Sequence, residues 1–599
     1  MKNKIYIILI SLSFTLWSCN DYEDVPVEKY TLEYVFSSTD SLGVDAQKYL
    51  NAVYSVLRTE MYGHNRVGGD YLDAATDDAV TSMTSNNQIK KLSVGQYTAS
   101  TRVLEDMYWG EFYTGIRRAN TFINNIDRVP LKERFNNHVA QGIPMTRAWK
   151  AEARFLKALY YFELVKRYGG VPLVGDIPYE LDEPIELPRN TFEDCINYIV
   201  GELDNIKDSL RSAPIANIND YGHVATAGAA MALKTRVLLY AASPLFNQSP
   251  LAANNPYIGY TEYKADRWKK AADAANEFIT EWGPDGTHKG YGLMDDYREV
   301  FLQYYNANAK EVIFHVQGST GNKEVETANG PYGFSSNAKG NGRTSPTQNL
   351  VDAFPMKDGK PIGQSTKYPY SFNASMYDNR DPRLDFTVLH QGSHWLSSTI
   401  ATYEGGRSNP SNTSETKTRT SYYMRKFMGK FEDQVEYSGV TRNWILFRYA
   451  EILLNYAEAQ NEYDLATGKT AVNTNVLAVI REIRKRAGIE GDDSTYGIDN
   501  NVTCQAMQEI IRNERRIEMA FEEQRYWDIR RWKIADKIFD SPVKGLVITL
   551  IAGNMQFREK DVQDVKFDTR RYLYPIPYSE VNKNSNMVQN PMWDNKNVY

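Results

Sequence analysis

The segment EIIRNERRIEMAFEEQRYWDIRRWKIAD, from Glu509 to Asp536, limits how the rest of the chain can fold. Read as one helix, it puts Arg515, Glu518, Glu522 and Arg525 on a single face, because they are spaced three, four and three residues apart. Asp528 and Trp532 continue that row, and Ile510, Ile517 and Phe521 form an apolar row beside it. Glu518 and Glu522 are like charges at i,i+4, which is unfavourable unless cations lie between or across from them. A solvated face is the usual meaning of such a run. Tyr526, Trp527 and Trp532 within it argue instead for a helix pressed against others, with a partly buried ion-pair network at the contact.

A chain of 599 residues with 42% hydrophobic content can bury a large core, as several domains or one helical assembly. A net charge of −6 and no basic stripe give no general pull toward nucleic acid. The three cysteines, Cys19, Cys195 and Cys504, have neither metal-ligand nor redox spacing. A Cys195–Cys504 disulfide can be drawn, but two unpaired buried thiols are the default. The seven histidines are scattered and no HExxH occurs, so neither a zinc site nor any other metal or cofactor is expected.

Helical spacing recurs along the chain. It appears from Leu42 to Thr59, from Trp109, from Thr146 to Val174, from Arg189, from Thr226 to Ala242, from Trp268 and from Arg448. Gly169-Gly170 stops the third of these with the positive φ of a C-cap. Thr191 and Asp194 are placed as a capping box for the fourth. Small Ala residues alternate with large aromatics, which lets neighbouring helices approach closely. Tetratricopeptide-like repeats and a plain helical bundle both fit that habit. The stretch DYLDAATDDAVTS, with Asp77 and Asp78 adjacent, reads as a solvated loop, since neighbouring carboxylates point apart.

IRNERRIEMAFEEQRYWDIRRW resembles the C-terminal signature of the SusD/RagB family of Bacteroidetes nutrient-uptake surface lipoproteins. AEARFLKALYYFELVKRYGGVPLV from Ala151, SPTQNLVDAFPMKDGKPI from Ser345, Arg380-Asp-Pro-Arg383 and the closing YPIPYSEVNKNSNMVQNPMW are similar to family segments in the family's order. The resemblance runs from about Leu42 to Trp593. It implies a mainly α, SusD-like fold of tetratricopeptide-like helical repeats, with long loop-rich insertions and few short strands. The corresponding divisions are an N-terminal repeat region at 32–245 and a C-terminal region at 268–599, with insertions near 318–346 and 390–422.

The start of the chain suits an exported protein. Lys2 and Lys4 precede a short apolar run, Ile5 to Trp17, which is too short to span a membrane. Leu16-Trp17-Ser18-Cys19 resembles a lipoprotein cleavage box, although Trp17 is larger than usual. The resemblance makes 1–18 a signal peptide, Cys19 the lipidated first residue and 19–31 an acidic tether at the outer-membrane surface.

Two long polar segments stand outside the helices. Gly318 to Pro346 holds six Gly and four Asn, and His390 to Tyr422 is rich in Ser and Thr. Loops beyond ~15 residues are uncommon in compact domains unless they are functional or disordered. Tyr332, Phe334, Trp395 and Tyr403 have little local core there and read as stacking platforms. The resemblance places a ligand on one exposed face, where this chain carries Tyr71, Tyr97, Tyr332 and Phe334, with Asn341 and Arg343 beside them; Trp395 is a further candidate.

No nucleophile elbow, P-loop or dinucleotide fingerprint occurs. The resemblance implies a non-catalytic glycan binder that passes oligo- or polysaccharide to a SusC-like TonB-dependent transporter and acts as its lid. Peptide capture, and less readily glycan cleavage by a carboxylate pair, are the alternatives.

Overall fold

The computed structural model describes residues 31–593 apart from 58–60, 86, 102–103, 132–141, 180–182, 184–185, 213–223, 289, 303–308, 319 and 492. The expected signal peptide and Cys19 lie outside the described residues.

The alternation of small and large side chains becomes helix packing. Helices α1 (Val44–Tyr54), α2 (Gln88–Val94), α3 (Trp109–Asn125), α4 (Met145–Tyr168), α5 (Phe192–Ile206), α6 (Ala227–Ala242) and α7 (Asp266–Trp282) come from the N-terminal half. From α3 onward each packs on the next. Gly115 of α3 shows why a small residue is needed: a Cβ there would lie 2.6 Å from the Tyr160 ring of α4. Tyr160 then reaches α1, its hydroxyl donating to Val53 O at 2.7 Å. Gly169 ends α4 at φ 78°, and Thr191–Asp194 forms the expected capping box on α5. The chain is mainly helical, as expected.

The C-terminal half supplies α8 (Tyr449–Ala466), α9 (Thr474–Ala487), α10 (Cys504–Glu518) and α11 (Gln524–Arg531). Helix α8 packs on α7, α9 and α10, joining the halves. Among the described residues the strands pair only in twos. The longer ones are β1 (Ala79–Thr81) with β3 (Thr344–Pro346), β2 (Val312–Val316) with β4 (Trp444–Arg448), and the hairpin β5 (Val543–Ile551) to β6 (Asn554–Gln563), all antiparallel. No helix among the described residues is long and apolar enough to cross a membrane. Cys195 and Cys504 are both free and buried.

The helix expected from Glu509 to Asp536 is broken into α10 and α11, with a single helical turn at Ala535–Ile538 after them. The chain breaks after Glu518, with Phe521 and Glu523 at positive φ of 61° and 59°. The break has a partner that local spacing could not reveal. Asp73 accepts from the freed Phe521 and Glu523 amides at 3.2 and 3.1 Å. The Glu523 carboxylate in turn takes the Leu72 amide and the Arg66 guanidinium.

The buried ion-pair network is present. Glu518 is fully enclosed and accepts from Arg383 and Arg448, each at 2.8 Å, and from Arg486. Arg448 also holds Glu311 and Glu522. The i,i+4 repulsion of Glu518 and Glu522 is thus answered by one shared cation from β4. On the neighbouring face Arg515 pairs with Asp528 at 2.9 Å, and Arg531 with Glu458 of α8 at 2.7 Å.

Asp77 and Asp78 are not a solvated loop. Both are buried, and they meet Arg516 and Arg525 at 2.6–2.9 Å. The charges that looked solvent-directed neutralise cations of α10 and α11, more than 430 residues away.

Candidate ligand-binding face

Three segments distant in sequence are fastened into one surface. Strand β1 pairs with β3, and the ladder continues as the Ser82 amide donates to Arg343 O at 2.8 Å and the Thr347 amide to Asp78 O at 3.0 Å. This ties the 66–82 stretch to the end of the first long loop. The second long loop closes over that pair. The Ser408 hydroxyl donates to Tyr332 O at 2.8 Å, and the Arg419 guanidinium to Ser82 O and Met83 O at 3.1–3.4 Å. Glu415 accepts from the Thr84 hydroxyl and from the Thr84 and Ser85 amides. Those bonds hold its carboxyl at about 2, the Thr84 hydroxyl having the largest share. Gly333, at φ 95°, lets the loops touch: a Cβ there would lie 2.3 Å from Arg407 O.

Tyr332 and Phe334 are half-buried on this face. Each ring has a cation against it, the Lys417 ammonium 4.7 Å from the Tyr332 centroid and the Arg407 guanidinium 4.4 Å from that of Phe334. A cation over a ring favours one orientation by about 0.5–1 kcal/mol at exposed sites. Lys417 is itself held by Asn409 at 2.9 Å. Asn341 and Arg343 are half-buried in the same segment. The Arg343 guanidinium lies over Gly69, and its Nε–H finds no acceptor. Spacing within either loop could not reveal Arg407, Asn409 and Lys417, because their role depends on a contact between loops.

Three of the expected platforms are core residues. Tyr71 is fully buried, stacked on Phe427 at 5.5 Å with its hydroxyl 2.8 Å from His64 Nδ1. Tyr97 is buried between Trp593 and Tyr574, away from the loop contact. Trp395 has no exposed surface and donates its indole N–H to Tyr437 at 3.1 Å. These aromatics sit in polar stretches yet have a core, because the loops pack on one another. Trp395→Ala should therefore lower stability by about 3–5 kcal/mol. A Tm within a degree or two of the parent would contradict that placement.

Under the face, Asp70 lies between the hydroxyls of Thr81 and Thr344, at 2.8 and 3.0 Å. Burial pushes its carboxyl up to about 7, against the pull of those hydroxyls and of Arg343. A raised carboxyl pKa adds stability fully below the unfolded value of 3.8 and loses it as pH rises through 7. Asp70→Asn cannot ionise. Its stability relative to the parent should rise by on the order of 3 kcal/mol between pH 4 and pH 8 in urea unfolding. A pH-independent difference would show that Asp70 does not titrate there.

Among the described residues no group of His, Cys, Asp and Glu is arranged to hold a metal ion. The face offers two half-covered rings with amides and cations around them. Such a surface can stack on flat apolar faces and exchange hydrogen bonds with hydroxyl groups.

Comparison with known proteins agrees with the fold. A sequence profile described as the SusD family matches residues 310–593. A second, described as starch-binding associating with outer membrane, matches residues 31–239. SusD-like protein P2 of Formosa agariphila is 23% identical, the alignment covering 98% of this chain and 99% of that protein. A crystal structure of a SusD-like protein from Bacteroides fragilis superposes with a TM-score of 0.69 at 26% identity, covering 94% of this chain and all of the other. A laminarin-binding SusD-like protein superposes with a TM-score of 0.62 at 21% identity, covering 92% and 99%. Two family profiles that between them span both halves, together with relatives matched almost end to end, establish that this chain belongs to the SusD family.

Proposed function

We propose that the protein captures oligo- or polysaccharide at the outer-membrane surface and delivers it to a SusC-like TonB-dependent transporter, acting as the lid of that transporter. The observation that carries the reading is the pair of half-covered rings, Tyr332 and Phe334, presented where the two long loops meet. Sugar rings have apolar C–H faces that stack on such surfaces, and their hydroxyls suit Asn341, Asn409 and Arg343. Weak single contacts suffice when a polymer offers many repeats. The carbohydrate binding described for solved SusD-like relatives and the outer-membrane association in the family description support the same reading. Cys19 is the proposed lipid anchor.

Affinity electrophoresis of the full chain through a panel of polysaccharides tests the binding. Retardation by at least one glycan, without shortening of that glycan, is expected. Phe334→Ala and Tyr332→Ala should each weaken it about tenfold, which is roughly 1.4 kcal/mol, while leaving the Tm in place. Retention by peptides and by no glycan would overturn the reading, as would release of shortened product. Mild detergent extraction should bring down a TonB-dependent transporter with the protein; recovery of the protein alone would remove the lid role.

A further inference from the structure

At the edge of this face, three cations from three different elements converge with no carboxylate in ion-pair contact, Glu415 and Glu404 pulling on Arg419 and Lys560 only from further off. Lys90 stands on α2. Arg419 is two residues beyond Lys417, the cation over Tyr332, so their Cα atoms are at most about 7 Å apart. Lys560 stands on β6 opposite Gly545 of β5, and Gly545 backs directly onto Thr420, a Cβ there lying 2.8 Å from Thr420 Cα. Helix α2 is tied to the same hairpin by the Ser93 hydroxyl, 3.0 Å from Gln563. Arg343 lies alongside, since the Gly69 beneath it adjoins Gly68, which abuts Asn87 and Gln88 at the start of α2.

Among the described residues none of Lys90, Arg419, Lys560 and Arg343 has a carboxylate within ion-pair distance. The acids around them point their oxygens to other donors, and Asp70 beneath Arg343 is held by the Thr81 and Thr344 hydroxyls. Glu415 holds Thr84 and Ser85, Glu404 accepts from Thr549 at 3.1 Å, and Asp561 pairs with Lys544. The cations repel one another instead. Burial and then Arg419 lower the pKa of Lys90, while burial, Arg419 and Arg558 lower that of Lys560 against the pull of Glu404. Burial lowers that of Arg419 against the pull of Glu415. Half-buried like charges are unfavourable in the empty protein, and an anion among them removes both the repulsion and part of the desolvation cost.

We infer that the glycan recognised on this face is acidic, and that a carboxylate or sulfate group on it is seated by Lys90, Arg419 and Lys560, with Arg343 at the margin. The inference rests on the proposed glycan binding. It adds that a charged substituent lies next to the sugar stacked on Tyr332. Arg419, whose Nε and Nη2 are held by the Ser82 and Met83 carbonyls, turns its remaining Nη1 donors to the anion, and the two lysines add point charges.

The test is calorimetry of the full chain with three defined oligosaccharides: an oligogalacturonate, a sulfated galactan oligosaccharide and a neutral laminarin oligosaccharide. Binding of one or both acidic ligands is expected, at least tenfold tighter than the neutral one and weakening steeply between 50 and 300 mM salt. Preference between the carboxylated and the sulfated ligand distinguishes the two sources of charge. Lys560→Ser and Lys90→Ser should each weaken acidic binding about tenfold and leave neutral binding unchanged. Neither should lower the Tm, because each removes a repelling charge. Phe334→Ala should weaken every glycan alike. Binding confined to the neutral ligand, and dependent on Phe334, would overturn this inference and leave the glycan-binding reading standing. Acidic binding unchanged in both lysine variants would overturn it as well. Failure of all three ligands, or binding to anionic lipid vesicles in their place, would overturn this inference, and the polysaccharide panel decides the glycan-binding reading separately.

Discussion

Glu518→Ala is expected to lower the free energy of unfolding by about 3–5 kcal/mol, the cost of leaving buried charges without their partner. Three guanidiniums, Arg383, Arg448 and Arg486, converge on this one enclosed carboxylate. Each has a second acid: Asp381 and Glu514 for Arg383, Glu311 and Glu522 for Arg448, Glu311 for Arg486. Burial raises the Glu518 carboxyl, but Arg486, Arg448 and Arg383 more than reverse this and hold it far below the usual range. Glu518→Gln should recover part of the loss through retained hydrogen bonds but not the charge. Urea unfolding at pH 7 measures both variants. A loss below 1 kcal/mol for Glu518→Ala would mean that the remaining acids rearrange to serve the three arginines.

Acid should undo the second half of the network over a defined range. Glu458 is buried, which raises its carboxyl, yet Arg531, Arg515 and Trp532 bring it down to about 2. A depressed carboxyl pKa adds stability that is present above the unfolded value of 4.5 and lost as pH falls through 2. The shift corresponds to about 3 kcal/mol at pH 7. Glu458→Gln should therefore be less stable than the parent by about that amount at neutral pH, with the gap closing below pH 4.5. The sign is opposite to that of Asp70→Asn, which gains on the parent as pH rises. Paired unfolding curves for the two variants separate the effects. A gap for Glu458→Gln that persists unchanged at pH 2.5 would mean it arises from shape rather than charge.

Local periodicity carried the sequence reading a long way. The spacing of Arg515, Glu518 and Glu522 identified a packed, charged face, and Gly169 and Thr191 marked true helix ends. What spacing could not supply was the other side of each contact. The arginines on Glu518 come from residues 383, 448 and 486, and Asp77 meets a helix at the far end of the chain. For the same reason Asp77 and Asp78 looked solvated and the helix looked unbroken at Phe521. Trp395, Tyr71 and Tyr97 were misplaced because their core is built by loops folding onto loops. Tyr332 and Phe334 do lie on the loop face, while the cations against them come from the other long loop.

The fastening of β1 to β3, and of Arg66 to Glu523 across 457 residues, bears on when the face can exist. Chain closure over such distances is slow, and proteins dominated by non-local pairings fold correspondingly late. The N-terminal helices can pair as they emerge, but their loop at 66–82 gains β3 only once residues 344–346 are made, and counter-ions for Asp77 and Asp78 only with Arg516 and Arg525. A chain interrupted before Arg516 and Arg525 would hold Asp77 and Asp78 without counter-ions and would have no assembled surface to offer a ligand. Assembly of the face is thereby coupled to completion of synthesis, so an unfinished copy would carry no such surface.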